Sequence, residues 1–191
     1  MRTAFVAAAA VMLFAAPVQS QEPAVSPVRA ERVEEADGSV TLAHEVEVGA
    51  PVAEVWTAIS TCEGWMRWAV PIAWLDPDDP DVFESSYDPQ AAYGAPQNIR
   101  QRFLIRVPNR LLAFQTIQAP AGFADAERFA GVRTVFELAP LGASRTRVRL
   151  TGAGYPGDAA GQRLLAFFDQ GNAATLNSLK TALEAPTARE D

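Results

Sequence analysis

The chain has 191 residues, 16 Lys+Arg against 23 Asp+Glu for a formal net charge of −7 at pH 7, and one cysteine. That acidic balance disfavours nucleic acid and anionic membranes as partners, because binding to phosphate-rich surfaces needs clustered Lys and Arg. A single cysteine excludes an intramolecular disulfide, so apolar burial must hold the fold together.

At the start, Arg2 precedes an apolar run from Ala4 to Ala16 that stops at Pro17. The run is shorter than the roughly 20 residues of a membrane span. Val18 and Ser20 fit positions −3 and −1 of a cleavage site, so residues 1–20 read as a signal peptide cut before Gln21. No cysteine follows that site to accept a lipid, and no integral membrane segment is expected after processing. A short leader on an Ala- and Arg-rich chain points to a Gram-negative periplasm, with full secretion left open. Arg2 is the leader's only charged residue, so the remaining 171 residues carry −8 and suffice for one domain.

Residues 21–38 are polar, contain Pro23 and Pro27 and show no sustained period. They are expected to form a flexible tether before a domain at 39–184, with 185–191 a disordered tail. The domain opens with Val40, Leu42, His44, Val46 and Val48 alternating with Thr41, Ala43, Glu45 and Glu47, a strand with one buried face. Gly49-Ala50-Pro51 ends it. Val52, Val55, Trp56 and Ile59 then recur at helical spacing to Ser60, and Thr61 to Trp68 reads as a second short helix with Trp65 and Trp68 on one face.

Six more strands are predicted at 72–75, 82–87, 99–107, 111–117, 132–138 and 145–151, seven in all, joined by Pro- and Gly-containing turns of an antiparallel meander. In the third of these, Ile99, Phe103, Ile105 and Val107 should face the interior and Arg100, Arg102 and Arg106 the solvent. In the last, Thr146, Val148 and Leu150 oppose Arg145, Arg147 and Arg149, and the hairpin should set Glu137 near Arg147. A long helix from about Ala159 to Leu183 closes the chain, with Asp158 as its cap. Leu164, Leu165, Phe168, Leu176, Leu179 and Leu183 form its apolar stripe, and Asn172 falls within it.

This order is an α+β arrangement in which one curved antiparallel sheet buries its apolar face against the final helix. Val46–Ser60 (VEVGAPVAEVWTAIS), Glu63–Trp68, Phe136–Leu138, Thr146–Gly152 and the final helix with Leu176, Leu179 and Lys180 together resemble the START-like (SRPBCC, Bet v 1-like, helix-grip) superfamily. The nearest pattern is that of the subgroup related to activators of heat-shock ATPases and to polyketide cyclases. The resemblance spans nearly all of the chain after the leader. It implies a seven-stranded sheet wrapped on the long C-terminal helix around an apolar cavity, and it names no reaction.

Gly152-Ala153-Gly154-Tyr155-Pro156-Gly157 is a literal G-x-G-x-x-G, but no parallel strand follows the helix as a dinucleotide site requires. It reads as a turn between the last strand and the helix. His44 is the only histidine and is expected to face inward; with Cys62 it offers too few ligands for a zinc site, and no metal or cofactor is expected. No G-x-S-x-G accompanies it, so it reads as a hydrogen-bonded wall residue, with ligand contact as the alternative.

The candidate ligand-binding set is His44, Trp65, Trp68, Phe103, Phe114, Phe136, Tyr155, Leu165, Phe168, Asn172 and Leu176; no catalytic residue is assigned. The leading expectation is a monomeric periplasmic carrier or sensor of a small apolar molecule. A cyclase- or hydrolase-type enzyme using His44, Asn172 or Tyr155 is the alternative. A protein-interaction domain is the third reading, weakened because an exported chain would not meet a cytosolic chaperone.

Overall fold

In the computed structural model, which describes residues 27–186, strand alternation and turn chemistry build an α+β fold. The expected leader, the first residues of the tether and residues 187–191 of the tail lie outside the described residues. The elements are β1 (Arg29–Glu34), β2 (Val40–Val48), α1 (Val52–Ser60), α2 (Cys62–Trp68), β3 (Ile72–Leu75), β4 (Val82–Ser86), β5 (Ile99–Val107), β6 (Leu111–Gln118), α3 (Ala126–Phe129), β7 (Arg133–Pro140), β8 (Thr146–Tyr155) and α4 (Ala159–Glu184). All strands join one antiparallel sheet in the order β1-β2-β8-β7-β6-β5-β4-β3. Its concave face holds α4, which lies over β2 and β8, while α1 and α2 close one end. This is the helix-grip arrangement with eight strands rather than seven.

The extra strand corrects the expected tether. Residues of β1 are exposed throughout, so no apolar alternation marks them. What makes the segment a strand is hydrogen bonding to the free edge of β2, with Ala30 opposite His44 and Arg32 opposite Leu42. A turn at Asp37-Gly38, with Gly38 at φ +80, returns the chain into β2.

On β2 the predicted inward set holds: Leu42, His44, Val46 and Val48 are buried, and they meet Gly152, Leu150, Val148 and Thr146 of β8 in register. The main core gathers Val46, Val48, Val55, Ile59, Phe83, Leu112, Phe136, Val148, Leu176 and Leu179. A smaller cluster of Val40, Leu42, Val132, Tyr155, Leu164 and Leu165 lies under the N-terminal half of α4.

Three local expectations change. The register of β5 against β6 slips between Phe103, opposite Phe114, and Ile105, opposite Ala113. One inserted residue reverses every side chain beyond it. Ile105 and Val107 therefore stand exposed, while Arg106 remains exposed as expected, 4.6 Å over the Phe103 ring and paired with Asp81. Second, β8 continues through Gly152 to Tyr155, so the glycine-rich segment extends the strand and the turn comes after it. Third, Glu137 sits opposite Arg149 rather than Arg147. Arg147 instead faces Glu45 at 3.4 Å and Glu47 at 3.9 Å, and Arg149 pairs with Glu31 at 2.8 Å.

Candidate ligand-binding site

Between the middle of α4 and the concave face of β5–β8 lies a cavity of about 300 Å³. Strand alternation sends Phe114 and Thr116 of β6, Thr134 and Phe136 of β7, and Leu150 and Gly152 of β8 toward it. The helix contributes Phe167, Phe168, Asn172 and Thr175, and α2 contributes Trp65. The segment between β6 and β7 folds over the mouth and places Phe123 and Phe129 there.

One part of the wall is built on a missing side chain, that of Gly152. Gly152 is opposite Thr134, which is in turn opposite Phe114. A side chain on Gly152 would have its first carbon 2.6 Å from the Tyr155 hydroxyl oxygen, so the hydroxyl end of the Tyr155 ring occupies the place of that missing side chain. Trp65 is held edge-on to Phe114 and Phe136 at 6.5 and 6.2 Å between ring centres, and its indole N–H donates to the Ile59 carbonyl at 2.7 Å. That bond fixes which edge of the ring meets the cavity.

Of the candidate residues, Trp65, Phe114, Phe136, Tyr155, Phe168 and Asn172 line this space, and five do not. Trp68 stacks behind Trp65 at 4.9 Å and donates to the Ala58 carbonyl. Phe103 points inward but packs on Phe83 and under Arg106. Leu165 and Leu176 are fully buried in the two apolar clusters. His44 faces α4, where its Nε2 lies 3.1 Å from Asp169, and Asp169 also accepts from Arg32 at 3.3 Å. That contact makes His44 a strand-to-helix link outside the cavity; its Nδ1 is buried without a partner.

The sequence reading missed Asp169, Phe123, Phe129, Phe167, Gln101 and Thr116. Asp169 follows Leu165 by four, on the helix face that meets the sheet, which was a usable signal for the histidine's partner. Phe123 and Phe129 were two large aromatics in a segment of small and polar residues, where exposure would be costly.

Electrostatically the cavity is uncharged. None of its lining residues is Asp, Glu, Lys, Arg or His, so hydroxyls and amides supply its polarity. Burial raises the pKa of Tyr155 well above its ordinary value, which keeps its hydroxyl protonated and able to donate. Burial, then the neighbouring Glu63, also raises the Cys62 thiol, which stays protonated and does not line the space. Among the described residues no three His, Cys, Asp or Glu side chains gather as metal ligands, and no helix is long and apolar enough to cross a membrane. Such a site can enclose and orient a neutral molecule; it carries no charged group to move a proton.

Comparison with known proteins agrees with this geometry. No curated protein sequence matches the chain. Among solved structures, CalU16 from Micromonospora echinospora is similar with a TM-score of 0.60 at 19% identity, over 89% of this chain and 84% of that one. The Aha1 dimer from Colwellia psychrerythraea aligns at 0.57 and 19%, over 78% and 98%. An aromatase/cyclase, ZhuI from Streptomyces sp. R1128, aligns at 0.56 and 18%, over 75% and 93%. At these identities the likeness shows a shared fold. A family model described as polyketide cyclase / dehydrase and lipid transport matches residues 39–184, and the chain belongs to that START-like family of hydrophobic-ligand-binding domains.

Proposed function

We propose that the protein is an exported, periplasmic carrier or sensor that encloses one small, uncharged, mostly apolar molecule between the sheet and α4. The observation that carries this reading is the lining of the cavity: nine of its eighteen residues are aromatic and none is charged. Its volume of about 300 Å³ is at the small end of ligand cavities, which run from roughly 300 to 1,000 Å³. An enzyme acting on the same molecule has less support, since His44 is turned to Asp169 and no charged side chain lines the cavity. Export rests on Arg2, the apolar run from Ala4 to Ala16 and the Val18, Ser20 pair.

The test uses protein recovered from the periplasmic fraction, whose N-terminal sequence should begin at Gln21. Titration with 1-aminonaphthalene, a small neutral fluorophore, should give saturable 1:1 binding. Phe168→Trp, which adds volume at the cavity wall, should weaken it several-fold with an unchanged circular dichroism spectrum. Absence of saturable binding sinks the carrier reading, and a cytosolic pool with an uncut leader sinks the localisation.

A further inference from the structure

The aromatic walls leave open which molecule they select, and the position of Tyr155 narrows the choice. Tyr155 is 2% exposed overall yet lines the cavity. The chain goes to some length to place it. Gly154, at φ +89, bends the end of β8, and the absent side chain of Gly152 leaves the space into which the ring folds. Beside Gly152 in register is Thr134, and one inward step along the neighbouring strand is Thr116, opposite Gln101. Tyr155, Thr134, Thr116 and Gln101 put polar groups on the sheet wall, Asn172 and Thr175 add two from the helix, and Phe167, Phe168, Phe123 and Phe129 cover the rest of the helix side and the mouth.

A polar group facing a cavity can be satisfied by water, and a ligand that expels that water must replace the lost bond or leave the group unpaired at a cost on the order of 1–3 kcal/mol. The cavity holds about ten times the roughly 30 Å³ share of a liquid water molecule, which is room for roughly ten to fifteen non-hydrogen atoms. Rings fit walls made of ring faces and edges.

We propose that Tyr155 is the residue that determines specificity in this cavity, donating a hydrogen bond to the carbonyl oxygen of a small neutral aromatic ketone or aldehyde. The inference rests on the cavity being the binding site. The sheet wall reads the oxygen, and the aromatic residues of α4 and of the segment before β7 receive the ring. A carboxylate of the same size is excluded, because no cation lines the space to offset its desolvation.

The experiment displaces 1-aminonaphthalene from the protein with 2-acetylnaphthalene or with 2-ethylnaphthalene, which has nearly the same shape but lacks the oxygen. Water solvates the ketone better, so a cavity without a donor would favour the hydrocarbon. The wild type is expected to bind the ketone roughly tenfold more tightly than the hydrocarbon. Tyr155→Phe should remove that preference while leaving hydrocarbon affinity within about twofold. Gly152→Ala, which pushes the ring from its seat, should remove it as well. The wild-type ratio stands even if either variant fails to fold. Equal or reversed affinities in the wild type, or a preference that persists in Tyr155→Phe, overturn the role of Tyr155 and leave the carrier reading intact. Failure of the fluorophore and both naphthalenes to bind overturns both.

Discussion

Along the C-terminal half of α4, Leu176, Leu179 and Leu183 are buried against β2, α1 and α2, and the helix is tied down by polar groups as well. Lys180 donates to the Glu47 carbonyl at 2.8 Å and to Glu184 at 2.6 Å, while Glu184 accepts from the Gly49 N–H at 2.6 Å. Along the N-terminal half, Leu164 and Leu165 are buried, but Phe167 is 59% exposed and Phe168 faces the cavity, as does Asn172 at the helix midpoint. There the helix meets the short segment around α3 through the stacked Phe129–Phe168 pair and the Arg163–Asp125 and Arg128–Asp158 ion pairs. One end of the same helix is packed into the core and the other stands partly over the cavity. Stability and ligand capacity compete for the same interior volume, and this fold separates them along one helix.

The contrast is broken or sharpened most by Leu179→Ala. Removing a fully buried side chain from the packed half should cost about 2–5 kcal/mol in urea unfolding, whereas Phe168→Ala at the hollow half should cost less and abolish most binding of a neutral fluorophore. Equal losses would mean that the two halves are not energetically distinct. A smaller effect is expected from Glu184→Ala, which strips the Gly49 N–H and Lys180 of their acceptor. About 1 kcal/mol should be lost, because Gly49 is exposed and water can replace the bond.

The smallest effect on stability should come from Arg163→Gln. Its guanidinium makes two hydrogen bonds to Asp125, at 3.0 and 2.8 Å, and these hold that carboxyl below the usual range while Asp125 sits in a left-handed conformation at φ 61. The pair is at the surface, so the unfolding midpoint should not move measurably. Hydrogen exchange of residues 119–131 should nevertheless accelerate by several-fold if this contact holds the segment on α4. No acceleration would assign the hold to the Phe129–Phe168 stack alone.

The packed half was more legible in the sequence than the hollow one, for a physical reason. Alternation in Val40–Val48 and in Thr146–Leu150, and the leucine stripe of α4, record burial against a continuous core, and their faces fall where periodicity puts them. The cavity depends on what does not repeat. The register slip after Phe103 leaves no mark in hydrophobicity, so Ile105 and Val107 were assigned to the wrong face. Phe123 and Phe129 lie in a connection, where periodicity has no bearing. His44 was correctly turned inward, and its partner Asp169 was signalled only by its place four residues after Leu165, not by the apolar periodicity.

Among the described residues the sheet does not close into a barrel, and β1 and β3 are its two outer strands. An outer strand offers unpaired N–H and C=O groups to any extended chain that comes near, which is the usual first step of fibril growth. Here β1 carries Arg29, Glu31, Arg32 and Glu34 in six exposed residues, so a newcomer would have to bring complementary charge at each of those positions. β3 runs for only four residues before Asp76-Pro77, too short a ladder to hold one. The protein can therefore keep a hollow interior without its sheet becoming a template for its own aggregation.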